Sequence, residues 1–138
     1  MANLSSKCTI IDGKKLAADI RAKLADDVRN LQQTQQITPG LAVILVGKDP
    51  ASEVYVRNKR RACEQAGIQS FAYDLDESSS EDELLTLIAQ LNDNSNVHGI
   101  LVQSPLPQQI NEANIVAAIS VAKDVDCFHP INVGKLML

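Results

Sequence analysis

Hydrophobic residues follow two different spacings along this chain, and the change from one spacing to the other separates helices from strands. In residues 14–36 they recur every three or four positions, which predicts a helix with an apolar stripe of Leu16, Ile20, Leu24, Val28 and Leu31. Residues 41–46 are all apolar, which predicts a buried strand. The same two patterns then predict a helix at 50–66, a strand at 68–75, a helix opening at Ser80, a strand at 99–103 and a helix opening at Asn111.

Residues that favour the ends of helices stand where the spacing changes. A short polar side chain before a helix can accept a hydrogen bond from an N–H of the first turn. Pro50 suits a first helical position, Glu83 completes a capping box with the residue three places before it, and Gly67 is expected to end its helix. The candidate N-caps are Asp12, Asp49, Ser80 and Asn111.

The alternation of helices and strands predicts an α/β fold, a three-layer domain in which helices flank a mostly parallel sheet of three to four strands. Residues 8–11 are the candidate fourth strand. Phe71, Tyr73 and Leu75 alternate with other residues, so the strand at 68–75 is expected at or near a sheet edge. Because residues 135–138 are largely apolar, we expect the natural chain to continue and this sequence to be one domain of a larger protein.

The composition narrows the class of protein. The chain has 138 residues, of which 45% are hydrophobic and 22% charged, as is typical of one globular domain. A net charge of −4 without a basic patch argues against nucleic acid as the main partner. No apolar run approaches the roughly 20 residues of a membrane span, and residues 1–8 lack the apolar core of a signal peptide. We therefore expect a cytoplasmic protein that does not contact membranes.

The cysteines and histidines do not have the spacing of a metal site. Cys8, Cys63 and Cys127 are odd in number and far apart, which predicts reduced thiols instead of a disulfide framework or a zinc site. His98 and His129 are isolated, so we expect them to be structural or exposed. No metal site is predicted.

Four polar residues are expected at the C-terminal edge of the sheet, where open α/β folds bind ligands. Tyr55 and Lys59 are four apart and share a face of the helix after the first strand. Gln103 ends a strand, and Asp126 lies in the loop after the last helix. A lysine that is partly buried beside an amide can transfer protons. A carboxylate can accept two hydrogen bonds from the edge of a flat ring, and a tyrosine can stack on its face.

Each of these residues also has an ordinary explanation. By periodicity alone Lys59 is more often a solvated charge, because arginines surround it on the same helix. Tyr55 is more often a packing residue, Gln103 a loop anchor and Asp126 a turn or cap residue. The motifs G-x-x-x-x-G-K-[ST] and G-x-G-x-x-G are both absent from the chain, so no nucleotide site is predicted.

Taken together, four segments resemble one enzyme family. They are IDGK at 11–14, VGKDPASEVYVRNK at 46–59, GILVQSPLP at 99–107 and KDVDCFHPINVG at 123–134. In order and spacing they resemble the bifunctional methylenetetrahydrofolate dehydrogenase/methenyltetrahydrofolate cyclohydrolase family (FolD type). The resemblance covers nearly the whole chain, and three long motifs in the right order are highly specific.

The resemblance implies that residues 1–138 are the N-terminal, folate-binding catalytic domain of a two-domain enzyme, with about 130–138 starting the interdomain connection. It implies that the C-terminal Rossmann domain, which binds NADP in the family, is absent, so that this chain alone binds no cofactor. The implied reactions are the NADP-dependent oxidation of 5,10-methylenetetrahydrofolate to 5,10-methenyltetrahydrofolate and the hydrolysis of that product to 10-formyltetrahydrofolate. The intact family member is expected to be a homodimer that serves purine biosynthesis, and this chain a monomer.

The resemblance also implies roles for single residues. Lys59 is similar to the catalytic lysine that assists proton transfer and water attack on the methenyl carbon. Gln103 is expected to hydrogen-bond Lys59, Tyr55 to stack on the folate, and Asp126 to bind the N–H/NH₂ edge of the pterin. The implied catalytic residues are thus Lys59, Gln103 and Tyr55, and the substrate-binding residues are Tyr55, Ser52, Val102, Gln103, Pro105 and Asp126.

Three positions depart from the family pattern. Ser104 stands where the family usually has leucine, Cys127 where it usually has glycine, and residues 121–122 replace a proline-containing pair. If the backbone at Cys127 requires a positive φ, a cysteine there is strained. These departures favour a second hypothesis, a non-catalytic α/β folate-binding or regulatory module that is degenerate in its active-site loops.

Overall fold

The computed structural model describes residues 11–138, in which helices pack on both faces of a parallel sheet. The predicted α/β architecture is therefore confirmed. In chain order the elements of these residues are α1 (Gly13–Gln35), β1 (Gly40–Val46), α2 (Pro50–Ala66), β2 (Gln69–Leu75), α3 (Glu81–Asp93), β3 (Gly99–Val102), α4 (Glu112–Ala118) and α5 (Pro130–Leu136).

The sheet has the strand order β2–β1–β3, and both neighbours of β1 run parallel to it. Strand β2 lies at an edge of the sheet, as its alternating sequence predicted. Its residues alternate between exposed and half-buried over most of its length. Ile44 of β1 lies opposite Val102 of β3, so β3 ends two residues before the end of β1. The candidate fourth strand at 8–11 lies, apart from Ile11, outside the described residues.

The hydrophobic core lies on both faces of β1. On one face Ala42, Ile44 and Val46 pack with residues of α3 and α4, among them Ile88 and Ile115. On the other face the core continues with Val43, Leu45, Val56 and Leu101. Because β1 is buried on both faces, its sequence is uniformly apolar, as expected of a central parallel strand.

The helix ends form where the sequence predicts them. Asp12, Asp49, Ser80 and Asn111 each accept a hydrogen bond from a backbone N–H of the helix that follows. The capping box of Ser80 and Glu83 is complete, and Gly67 ends α2 with a φ of +76°. Local polar residues therefore define these boundaries.

Two features differ from the sequence-based expectations. The apolar stripe of α1 is buried at Val28, which is 4% exposed, whereas Leu16 and Ile20 are 57% and 58% exposed. Helix α5 is not among the predicted elements, although Pro130 at its start and His129 as its N-cap are ordinary helix-start signals. Its apolar residues are exposed, so the hydrophobic pattern alone did not predict it.

The cysteines and histidines of the described residues have structural environments. Cys63 is buried and Cys127 half-buried, and both are free thiols. His98 Nδ1 accepts a hydrogen bond from the Gly40 N–H at 3.1 Å, and His129 caps α5. None of the helices in residues 11–138 is both long and apolar enough to cross a membrane.

Replacing Gly40 with alanine is expected to destabilise the fold by about 1–3 kcal/mol, the usual effect of overpacking. A Cβ atom at this position would lie 2.0 Å from the backbone oxygen of Asn96 and 2.8 Å from the ring of Phe71, and the backbone atom cannot yield without moving the turn before β3. Urea unfolding followed by circular dichroism measures the effect. Gly134→Ala in α5 is the matched control, because a Cβ there meets nothing within 4 Å. Equal stability of both variants and the wild type would show that the close approach at Gly40 does not constrain the fold.

Candidate functional site

The turn between β1 and α2 fixes the direction of the helix that carries the candidate tyrosine and lysine. Asp49 accepts a hydrogen bond from the Ser52 N–H at 2.8 Å, and its contacts with Ser52 lower the pKa of the Asp49 carboxyl. Gly47 turns the chain with a φ of +85°, and its N–H donates to the last carbonyl of β2 at 3.0 Å. Both ends of the turn are therefore held before α2 begins.

The side chains of Lys59 and Gln103 meet at the C-terminal edge of the sheet. Lys59 Nζ donates to Gln103 Oε1 at 3.1 Å, and both residues are half-buried. Gln103 follows β3 directly, and its N–H donates to the carbonyl of Ile44 in β1 at 2.9 Å. The structure thus contains the contact that the family resemblance implied between these two residues.

The other candidate residues near this pair differ in accessibility. Tyr55 is 62% exposed, so its ring is open to a ligand. Val102 is half-buried at the end of β3, and Pro105 is exposed in the loop that follows. Ser52 is only 3% exposed and lies in the first turn of α2. Ser52 therefore supports the turn, while the other three offer surface at the sheet edge.

The loop that carries Asp126 is anchored on one side by Lys123. Lys123 Nζ donates to the carbonyls of Leu91, Asn92 and Asn94 at 2.9, 2.7 and 2.9 Å. These carbonyls lie at the C-terminal end of α3, where the helix dipole also favours a cation. The ammonium group therefore ties the loop to α3.

On its other side the loop is anchored by Asp124. Its carboxylate accepts hydrogen bonds from the N–H groups of Phe128 and His129 at 3.3 and 2.9 Å and from Asn132 Nδ2 at 2.9 Å. Partial burial acts to raise the pKa of Asp124, but these hydrogen bonds stabilise the carboxylate and the pKa is lowered overall. Asp124 therefore organises the loop, which leaves Asp126 as the candidate ligand-binding carboxylate.

The environment of Asp126 differs from that of Asp124. Partial desolvation raises the pKa of the Asp126 carboxyl, the positive charge of Lys59 acts to lower it, and Asp124 acts to raise it. The net direction is upward.

A small cavity of about 20 Å³, room for about one water molecule, lies beside Asp126 and is partly open to solvent. Val102 contributes to its apolar wall, and Ser104, Glu112, Asp124 and Asp126 contribute the polar groups. The residues on α2 do not line it. The edge of the sheet therefore holds two adjacent features, the lysine–glutamine pair and the cavity beside Asp126.

A larger groove between α2 and β2 contains none of the predicted site residues. One pair of its charges meets across the groove, where the Arg60 guanidinium donates to the Asp74 carboxylate through both terminal nitrogens. These hydrogen bonds lower the pKa of Asp74. Arg60 is thus a packing residue of the α2–β2 layer.

Two contacts of the site had no signal in the sequence. The three carbonyls that hold Lys123 come from residues about thirty positions earlier, and Ser104 Oγ donates to the Glu112 carboxylate across a loop. The role of Asp124 did have a local signal, because an aspartate six residues before a helix-starting proline can bind the N–H groups that lie between them. Within residues 11–138 no group of three or more His, Cys, Asp or Glu is placed to hold a metal ion.

Comparison with known proteins shows which family the chain is similar to. The family described as "Tetrahydrofolate dehydrogenase/cyclohydrolase, catalytic domain" matches residues 11–126. A "Bifunctional protein FolD" from Magnetococcus marinus is 57% identical over 128 residues, covering 93% of this chain and 45% of the relative. One from Halalkalibacterium halodurans is 57% identical over 129 residues, covering 94% and 46%. The chain therefore spans a little under half the length of these relatives.

Solved structures show the same similarity. The bifunctional FolD methylenetetrahydrofolate dehydrogenase/cyclohydrolase from Campylobacter jejuni superposes with a TM-score of 0.89 at 50% identity, covering 93% of this chain and 45% of that one. The Trypanosoma brucei N5,N10-methylenetetrahydrofolate dehydrogenase-cyclohydrolase, complexed with NADP cofactor and inhibitor, superposes with a TM-score of 0.92 at 34% identity, covering 95% and 44%.

Replacing Cys127 with glycine is expected to raise the free energy of unfolding by about 1 kcal/mol. Cys127 has a φ of +60°, a conformation that costs a residue with a side chain about 1–2 kcal/mol, partly offset by the greater freedom of glycine in the unfolded chain. Urea unfolding measures the difference. Cys127→Ala is the matched control, because it removes the thiol but keeps the Cβ atom. If the alanine variant gains as much as the glycine variant, backbone strain at this position is not the cause.

Proposed function

Because the chain belongs to the tetrahydrofolate dehydrogenase/cyclohydrolase family, we propose that residues 1–138 are the folate-binding catalytic domain of a two-domain enzyme, with 130–138 beginning the connection between the domains. The proposed reactions are the oxidation of 5,10-methylenetetrahydrofolate to 5,10-methenyltetrahydrofolate and the hydrolysis of that product to 10-formyltetrahydrofolate. The observation that carries the proposal is the 3.1 Å contact between Lys59 Nζ and Gln103 Oε1 at the ligand-binding edge of the sheet.

NADP is the proposed hydride acceptor of the oxidation, and we place its binding site outside the described residues. The turn from β1 to α2 has the sequence Gly47-Lys48-Asp49-Pro50, which lacks the further glycines that let a dinucleotide approach the backbone. The residues present therefore do not fit a dinucleotide. The description of the T. brucei relative as complexed with NADP supports NADP as the cofactor of the whole protein.

Lys59 is the proposed proton-transfer group of the hydrolysis. A water oxygen bonds to the methenyl carbon, the bond from that carbon to N5 breaks, and the new carbonyl stays on N10. The water loses both of its protons, one of which ends on N5 and the other in solvent. Lys59 Nζ moves these protons, while Gln103 Oε1 holds the amine in one orientation by accepting one of its hydrogens.

Asp126 and Tyr55 are the proposed residues that orient the folate. The Asp126 carboxylate accepts two parallel hydrogen bonds from the N–H/NH₂ edge of the pterin. Its loop is anchored by Lys123 and Asp124, so the carboxylate is presented with little freedom to lose on binding. Tyr55 is exposed and stacks on the ring, and Val102 and Pro105 add apolar contacts.

The same proposal includes the localisation, the oligomeric state and the metabolic role of the whole protein. The family resemblance supports a cytoplasmic enzyme that forms a homodimer and supplies one-carbon units for purine biosynthesis, while this chain alone is a monomer. Ser52, which is buried in the first turn of α2, is proposed to contribute to the folate site by shaping that turn.

A second candidate function is a non-catalytic α/β folate-binding or regulatory module. The observation that favours it is the backbone of Cys127, which has a φ of +60° next to Asp126. The intact contact between Lys59 and Gln103 favours the catalytic function instead, because a binding module has no need of a lysine held by an amide.

Replacing Lys59 with methionine is expected to slow hydrolysis of 5,10-methenyltetrahydrofolate by this chain by about 100-fold or more, the usual contribution of a positioned acid–base group. Folate affinity is expected to change by no more than about threefold, because methionine keeps most of the apolar stem. A spectrophotometric assay gives the rate, and titration calorimetry gives the affinity. Lys23→Met, at an exposed position of α1, is the matched control and is expected to behave as the wild type.

Three results separate the alternatives. A loss of hydrolysis only in Lys59→Met supports the catalytic function. Folate binding without any lysine-dependent hydrolysis supports the non-catalytic module. Failure of the folded wild-type chain to bind folate would contradict both.

A further inference from the structure

The orientation of the Gln103 amide is fixed at both ends of that group. Its oxygen accepts from Lys59 Nζ at 3.1 Å, and its nitrogen Nε2 donates to the backbone carbonyl of Ser104 at 2.6 Å. An amide whose nitrogen is bound to a carbonyl must turn its oxygen the other way. The Ser104 carbonyl therefore holds the Gln103 amide in the orientation that Lys59, which can only donate, also requires.

The backbone has little means of holding that carbonyl by itself. The peptide unit after Ser104 contains the nitrogen of Pro105, which has no N–H to donate. Strand β3 has already ended at Val102, so residue 104 lies outside the parallel ladder. Because residue 104 precedes a proline, its backbone is confined to extended conformations, and a side-chain contact there adds a second constraint on this part of the loop.

Glu112 provides such a contact. Ser104 Oγ donates to the Glu112 carboxylate, which stands at the first position of α4 and beside the same cavity as Asp126. The start of α4 is itself held to α3, because Glu81 accepts from the Asn111 N–H at 2.5 Å and from Asn114 Nδ2 at 2.8 Å. These hydrogen bonds lower the pKa of Glu81. Glu112 therefore extends from a fixed helix end to a loop residue that lies outside the strand ladder.

We propose that Glu112, acting through Ser104, is a positioning residue that turns the Gln103 amide oxygen towards Lys59. The contacts form a line that runs by a hydrogen bond from Glu112 to the Ser104 hydroxyl and crosses Ser104 through its covalent bonds. It continues by hydrogen bonds from the Ser104 carbonyl through the Gln103 amide to the Lys59 amine. The importance of this line for hydrolysis rests on the function proposed above for Lys59. The positioning itself is a property of the folded chain and can be measured without a substrate.

The Gln103 side-chain amide can be observed directly by ¹H–¹⁵N spectroscopy of the chain, with its signals assigned by their loss in Gln103→Leu. In the wild type we expect one Nε2 proton to be displaced downfield by the Ser104 carbonyl. In Glu112→Ala and in Ser104→Ala this displacement is expected to be lost. In Glu112→Gln it is expected to remain, because the glutamine amide oxygen also accepts from the Ser104 hydroxyl.

Asp82→Ala is the matched control, because Asp82 is an exposed acid in the first turn of α3 and its loss removes a similar helix-dipole interaction. The proposal is supported if the displacement disappears in both contact-breaking variants and persists in Glu112→Gln and Asp82→Ala. It is overturned if the displacement persists in Glu112→Ala or disappears in Asp82→Ala. Circular dichroism checks folding, and if Glu112→Ala does not fold, Ser104→Ala, which loses a single hydroxyl, decides.

Hydrolysis provides the second readout. Glu112→Ala is expected to lower kcat by about fivefold, the effect of losing one typical hydrogen bond, with KM unchanged and Glu112→Gln restoring the rate. An unchanged kcat together with a lost amide signal would overturn the role of this line of hydrogen bonds in hydrolysis. If the wild type shows no lysine-dependent hydrolysis, the proposed function fails, whereas the amide signal still decides the positioning.

Discussion

The hydrogen bond between Lys59 and Gln103 depends on the pairing of two parallel strands. Helix α2 starts at the end of β1, and Gln103 follows the end of β3, so the two side chains meet only because β1 and β3 are neighbours in register. The backbone N–H of Gln103 donates to the carbonyl of Ile44 at 2.9 Å, which continues the ladder by one residue. This contact brings the side-chain amide of Gln103 to Lys59. Any change that moves β3 along β1 would separate the pair.

Sequence reasoning predicted the features that depend on neighbouring residues. Asp49 caps α2, Gly67 ends it, and the apolar residues at 41–46 form the central strand, because capping, left-handed backbone and uniform burial all leave local patterns. The exposed N-terminal half of the α1 stripe was not predicted, since helical periodicity indicates an apolar face without saying what covers it.

The candidate site likewise has a part that the sequence predicted and a part that only the structure revealed. The positions of Tyr55 and Lys59 on one helix face follow from their spacing, and Gln103 was placed by its strand. The hydrogen bonds of Lys123 to α3 and of Ser104 to Glu112 join segments whose contact depends on the complete fold, so no spacing revealed them. Polar contacts between distant segments are therefore the part of this site that required the structure.

We propose that folate binds at the C-terminal edge of the sheet between Tyr55, the Lys59–Gln103 pair and Asp126. The most direct test is to titrate the isotope-labelled chain with folate and to map the changes in its backbone and side-chain amide signals. The account predicts that the largest changes occur at those four residues and their immediate neighbours. Changes confined to the groove between α2 and β2, where Arg60 pairs with Asp74, would contradict it.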